Sequence, residues 1–171
     1  MDLLECSFLA VGAVKYRRCQ EILGHAGAGG IIRDYRGIWQ AWYSVNLGVC
    51  SVTSTELWGL FHGLSIAWQH GFRRVHVEVD SKCVLQLVSN PNTPVNKHFT
   101  LIQAIKNLLR CDYLIKVEHI YREDKAAVNF LASYSFSFPL GLHCFQAIPS
   151  NLISILNNDV YGVADSHLLS L

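Results

Sequence analysis

The chain has no excess of either charge: 14 Lys and Arg stand against 13 Asp and Glu in 171 residues, a formal net charge of +1. It therefore lacks the domain-wide basic field that holds a protein on a polyanion, and a nucleic-acid partner would have to be met by local charge. No stretch approaches the roughly 20 consecutive apolar residues that span a bilayer, so no membrane partner is expected. The six cysteines, at positions 6, 19, 50, 83, 111 and 144, lie too far apart for a zinc knuckle or a redox pair. They read as small hydrophobes of a reducing, intracellular compartment, in keeping with the lack of any Asn-x-Ser/Thr acceptor. Residues 7–14 would make a short secretory core, but Asp2 and Glu5 precede it where a signal peptide carries Lys or Arg. What the chain does have is apolar residues, 51% against 16% charged, which excludes disorder and suits one domain with a continuous core.

Periodicity supplies the elements. Residues 28–33 and 38–46 form a hairpin about Asp34-Tyr35-Arg36-Gly37, with Trp39, Ala41 and Tyr43 alternating against Gln40, Trp42 and Ser44. Aromatics on both faces imply a sheet covered on both sides. Thr53 and Glu56 fit a capping box, after which Leu57, Leu60, Phe61, Leu64, Ala67 and Trp68 recur at helical spacing until Gly71. Residues 74–80 alternate Val75, Val77 and Val79 with His76, Glu78 and Asp80, a strand that ends in a carboxylate. Ser81 caps a short helix to Val88, and the Pro91 and Pro94 loop precedes a helix marked by Phe99, Ile102, Ile105, Leu108 and Leu109. A strand over 114–120 and a helix over about 123–133 follow, and residues 5–14 are the candidate first strand. Three strands and then alternating helices and strands predict a mixed sheet, an antiparallel meander with parallel additions.

Glu56 in the first turn of a helix and Asp80 at the end of a strand are a pair of carboxylates of the kind a hard divalent cation takes. Taken alone they are better explained by Glu56 serving the helix start and Asp80 capping the next helix or pairing with Lys82. Gly24, Gly27, Gly29 and Gly30 lack Walker or dinucleotide spacing. His76, Glu78 and Asp80 lack a further ligand for zinc, and neither Cys50 nor Cys83 has a positioned base.

Five blocks in order carry a resemblance: Ala26-Gly27-Ala28-Gly29-Gly30-Ile31-Ile32-Arg33-Asp34, Gly37-Ile38-Trp39, Thr55-Glu56-Leu57-Trp58-Gly59-Leu60, Val77-Glu78-Val79-Asp80-Ser81-Lys82 and His119-Ile120-Tyr121-Arg122-Glu123. Together they resemble the RNase H-like domain of plants and plant retrotransposon polyproteins. The resemblance implies a five-stranded mixed sheet flanked by helices on both faces. It also implies a variable segment over 1–23 with a degenerate first strand, the domain over 24–134 and an apolar tail over 135–171, with relatives that are parts of larger proteins.

Active members of that family hydrolyse the RNA of an RNA/DNA hybrid with four acids that hold two Mg2+ (or Mn2+) ions. The resemblance assigns Glu56 and Asp80 to two of the four, and His119 to a histidine that assists proton transfer or product release. It puts Val11, in Leu9-Ala10-Val11-Gly12-Ala13, and Asn129, in Val128-Asn129-Phe130-Leu131-Ala132, where the other two acids belong. The implied metal set is Glu56, Asp80 and the neutral Asn129, and the implied contacts to nucleic acid are Arg33, Arg36, Lys82, Arg122 and Lys125. The leading expectation is a monomeric nucleic-acid-binding domain with an impaired two-metal site. The alternatives are an active Mg2+-dependent endoribonuclease and a protein-interaction module or retroelement remnant.

Overall fold

The computed structural model describes residues 6–15, 24–34, 36–90, 97–110, 114–119, 126–145, 147, 150 and 153. The strands are β1 (Cys6–Lys15), β2 (Gly24–Arg33), β3 (Trp39–Cys50), β4 (Arg74–Val79), β5 (Leu114–His119) and β6 (Gly141–Phe145). The helices are α1 (Val52–Gln69), α2 (Lys82–Ser89), α3 (Phe99–Arg110) and α4 (Ala126–Tyr134), and a 3-10 turn spans Ser135–Ser137. One sheet runs in the order β5-β4-β1-β2-β3-β6. Strands β1, β2, β3 and β6 are joined antiparallel, whereas β4 lies parallel to both β1 and β5. This is the expected mixed sheet, with one strand more than the expected five.

The sheet buries both faces. On one, Leu57, Leu60, Leu64 and Ala67 of α1, Val84 and Val88 of α2, and Ile102 and Ile105 of α3 close over Val75, Val77 and Val79 of β4 and Ile32, Tyr43 and Val45 of β2 and β3. On the other, Ala127, Val128 and Leu131 of α4 pack on Ile31 and Trp42, flanked by Trp39, Phe130 and Phe145. Consecutive residues Ile31 and Ile32 thus serve opposite cores, as the period of two in a strand requires. Among the described residues no helix is long and apolar enough to cross a membrane.

Helix α1 begins earlier than the capping-box reading places it. Ser51, extended at φ −76° and ψ 158°, is the N-cap, and its hydroxyl accepts from the Ser54 amide at 3.2 Å. The Thr55 hydroxyl donates to the Ser51 carbonyl at 2.9 Å, so Thr53 and Glu56 fall inside the helix. At the far end Gly71 takes φ +81°, the left-handed turn that stops the helix. Ser81 caps α2 as expected, accepting from the Val84 amide at 3.3 Å. Strands β2 and β3 are longer than the hairpin pattern implied because pairing continues to Gly24↔Cys50, past a register shift between His25 and Gly27.

The sixth strand comes from the segment expected as an apolar tail. β6 pairs with β3 from Trp42↔Phe145 to Asn46↔Gly141. Its attachment is aromatic: Tyr134, Phe138 and Phe145 contact one another with ring centroids 5.0–5.9 Å apart. The Trp42 indole donates to the Ala147 carbonyl at 3.2 Å and the Asn46 amide to the Phe138 carbonyl at 2.8 Å. Residues 1–5, 16–23 and most of 146–171 lie outside the described residues.

The spacing between α4 and the sheet is set by β2. A Cβ on Gly29 would lie 2.6 Å from the Ala132 nitrogen and 2.8 Å from the Leu131 carbonyl carbon, both backbone atoms that cannot swing aside. Gly29→Ala should therefore push α4 off the sheet and lower stability by about 1–3 kcal/mol, read as a fall in the urea midpoint at unchanged m-value.

Candidate functional site

The strand register makes one continuous lateral row across all six strands: Cys144, Tyr43, Gly30, Val11, Val79 and His119. Val11 stands in the middle of it on β1, between Gly30 and Val79. Asp80 is the next residue after Val79, just beyond the carboxyl end of β4, and His119 closes β5 beside it. Both are partly buried. Ligands of α/β sheets gather at such carboxyl ends.

Two helices are tied to this row from opposite faces. The Tyr43 phenol, fully buried, donates to the Gly59 carbonyl of α1 at 2.7 Å, and burial pushes its ionisation far above the ordinary phenol range. Glu56 is one turn before Gly59, on the same side of α1, and is partly buried. On the other face the buried Ser44 hydroxyl donates to the Leu131 carbonyl at 2.6 Å, and that of Ser135 donates to the Ala132 carbonyl at 2.6 Å. These bonds satisfy carbonyls at the end of α4, whose backbone already lies against Gly29. Asn129, partly exposed, is carried on this helix.

The structure thus brings Val11, Asp80 and His119 together by register and sets the helices of Glu56 and Asn129 against the same sheet. Among the described residues, no group of three or more His, Cys, Asp and Glu side chains is arranged to hold a metal ion. Lys82 opens α2 two residues after Asp80 and is exposed. Arg33 and Arg36 are elsewhere: Arg33 pairs with Phe8, which pairs with His76. Four residues of strand separate His76 from Asp80, roughly 13 Å at the rise of a β-strand. There the Arg33 guanidinium lies 3.7 Å over the Trp39 ring. Arg122 and Lys125 lie outside the described residues.

Three arrangements escaped the sequence reading. Asp34 is buried, and its carboxylate accepts from the amides of Arg36 and Ile38 at 2.9 Å each and from the Gln40 side chain at 3.1 Å. An Asp entering a turn that ends in Gly is a usable sign of such an Asx turn. The Ser54 hydroxyl meets His98 Nδ1 at 3.3 Å, which ties the approach to α3 to the first turn of α1. Burial, and then the charge of Lys97, hold His98 below its ordinary pKa. Finally, Glu118 of β5 bonds His76 of β4 at 2.7 Å and also Lys116. No local pattern announces that cross-strand pair.

The Glu118 carboxyl is held below the ordinary glutamate range, first by the hydrogen bond from Lys116 and then by His76. A depressed acid stabilises the fold above its unfolded pKa, and that contribution is lost as pH falls through the folded pKa. Because Glu118 is exposed, the contribution is small. A carbon-detected NMR titration should find its midpoint depressed, with Lys116→Ala raising it more than His76→Ala does; equal midpoints in all three proteins would refute the assignment.

A family model described as reverse transcriptase-like matches residues 17–135. The Arabidopsis thaliana protein named "Putative ribonuclease H protein At1g65750" is 36% identical over 139 residues, 81% of this chain and 22% of that protein. The chain therefore spans about a fifth of that relative's length. RNase H1 from Halobacterium salinarum superposes with a TM-score of 0.66 at 16% identity, covering 77% of this chain and 97% of that one. The N-terminal RNase H domain of rv2228c from Mycobacterium tuberculosis gives 0.65 at 21% identity, over 76% and 94%. LC11-RNase H1, solved in complex with an RNA/DNA hybrid, gives 0.63 at 17% identity, over 77% and 96%. At these identities the structural likeness is one of fold.

Proposed function

We propose a function from the premise that this chain belongs to the reverse transcriptase-like family, the RNase H-like domains of plants: it is a nucleic-acid-binding domain that takes RNA/DNA hybrid and has an impaired two-metal site. The observation that carries the reading is the row at the end of β4. It has a valine, Val11, paired with Val79 at the end of β4, one residue before Asp80, and the acids assigned to the site are Glu56 and Asp80 alone.

The donor set does not fit two divalent ions. Two Mg2+ bring four positive charges, while Glu56 and Asp80 supply two negative ones. Asn129 adds a neutral oxygen and Val11 adds none. The work left to the chain is binding: Lys82 beside Asp80 neutralises phosphate near the row, while Arg33, about 13 Å away along the strands, and Arg36 in the turn beyond it meet the duplex at a second place. Arg122 and Lys125 precede α4 and complete the set. Such contacts read duplex shape and 2′-hydroxyls rather than sequence. His119 is retained beside Asp80 without a metal pair to serve.

The test is cleavage and binding of a labelled RNA/DNA hybrid in Mg2+ and in Mn2+, with double-stranded DNA as competitor. The natural protein should bind hybrid in preference and not cut it. The Val11→Asp plus Asn129→Asp variant should cut on the order of a hundredfold or more above it, since the groups of a catalytic unit act together; adding Glu56→Gln should abolish that cleavage. Cleavage by the natural protein that is lost in its own Glu56→Gln variant would make it an active endoribonuclease. Binding to neither duplex above the salt-sensitive background would end the nucleic-acid reading.

A further inference from the structure

We infer that the domain holds its nucleic acid without a divalent cation, so that Mg2+ weakens binding instead of enabling it. The inference rests on the reading above and concerns the charge of the same site. Asp80 puts one negative charge just beyond the end of β4, and Glu56, on α1 and assigned to the same site, supplies a second. Lys82 opens the helix that follows Asp80 and is exposed. Lys97, also exposed, precedes His98, which meets Ser54 in the first turn of α1, two residues before Glu56. Among the described residues, two carboxylates against two ammonium groups make this set formally neutral.

A phosphate can approach a neutral neighbourhood directly. Were Val11 and Asn129 both aspartates, the same place would carry two net negative charges, and each carboxylate beside a phosphate would lower affinity on the order of tenfold at the dielectric of a protein surface. A site so charged needs a cation between acid and phosphate; this one does not. For a domain that reaches phosphate through Lys82, Lys97, Arg33 and Arg36, Mg2+ is a competing counterion like any other, and a more effective one than Na+.

The test is fluorescence anisotropy of a short labelled RNA/DNA hybrid, with EDTA and with millimolar Mg2+ at matched ionic strength, using the full chain. The natural protein should bind in EDTA, and Mg2+ should raise its Kd about threefold or more. The Val11→Asp plus Asn129→Asp variant should bind on the order of tenfold or more weakly in EDTA and recover in Mg2+. Circular dichroism reports whether that variant folds; if it does not, Asn129→Asp alone, on a partly exposed position of α4, should show the same reversal in smaller degree. Natural protein that binds only in Mg2+, or a folded variant indifferent to it, overturns the inference and leaves the hybrid-binding reading standing. Absence of binding by the natural protein in both buffers overturns that reading as well.

Discussion

The fold depends on how little room β2 takes up. Six of its ten residues are glycine or alanine, and the strand lies between two helix layers. Toward α4, Gly27 and Gly29 admit helix backbone to distances that a side chain would forbid. Toward α1, Gly30 leaves space for the Tyr43 ring, which fills the volume and extends its hydroxyl to the Gly59 carbonyl. Interiors packed at crystal density leave no slack to absorb a methyl group at either place. A strand thin enough to be approached from both sides thus fixes the separation of α1 from α4, and with it the spacing of Glu56 from Asn129.

The same thinness explains why the meander pairs in one register. Ile31 and Ile32 must enter opposite cores, and a slip of one residue would bring them out on the wrong faces while driving the glycines against Ile-sized partners. With β2 so pinned, Val11 is held opposite Gly30 and beside Val79. The row from Tyr43 to His119 follows from pairing that the cores enforce.

The sequence revealed most where burial repeats within one element. Leu57, Leu60, Leu64 and Ala67 are all buried at helical spacing, and Val75, Val77 and Val79 face the core alternately with His76 and Glu78. The five motif blocks revealed the family. Less was legible where a pattern fits two positions: Thr53 with Glu56 has the spacing of a capping box, but Ser51 has the extended backbone and the bond to Ser54 that make it the cap. β6 was illegible because its attachment lies in Trp42, Tyr134 and Phe138 and in no alternation of its own. For the candidate site, residue types were readable in advance, whereas the adjacency of Val11 to the end of β4 is a property of strand pairing. The His76 to Glu118 bond likewise joins residues 42 apart.

The pairing of β6 with β3 also sets the order in which the molecule is assembled. Trp42 waits for a carbonyl 105 residues further along the chain. During synthesis from the amino terminus, every other strand of the sheet is made before β6 emerges. Until then the long edge of β3 presents unpaired amides and carbonyls, with Trp42 and Val45 beside them, a template for any extended chain nearby. A nascent polypeptide halted shortly before Gly141 would therefore contain all the residues assigned to the candidate site and still be exposed to aggregation, which makes the last strand a guard on the finished sheet.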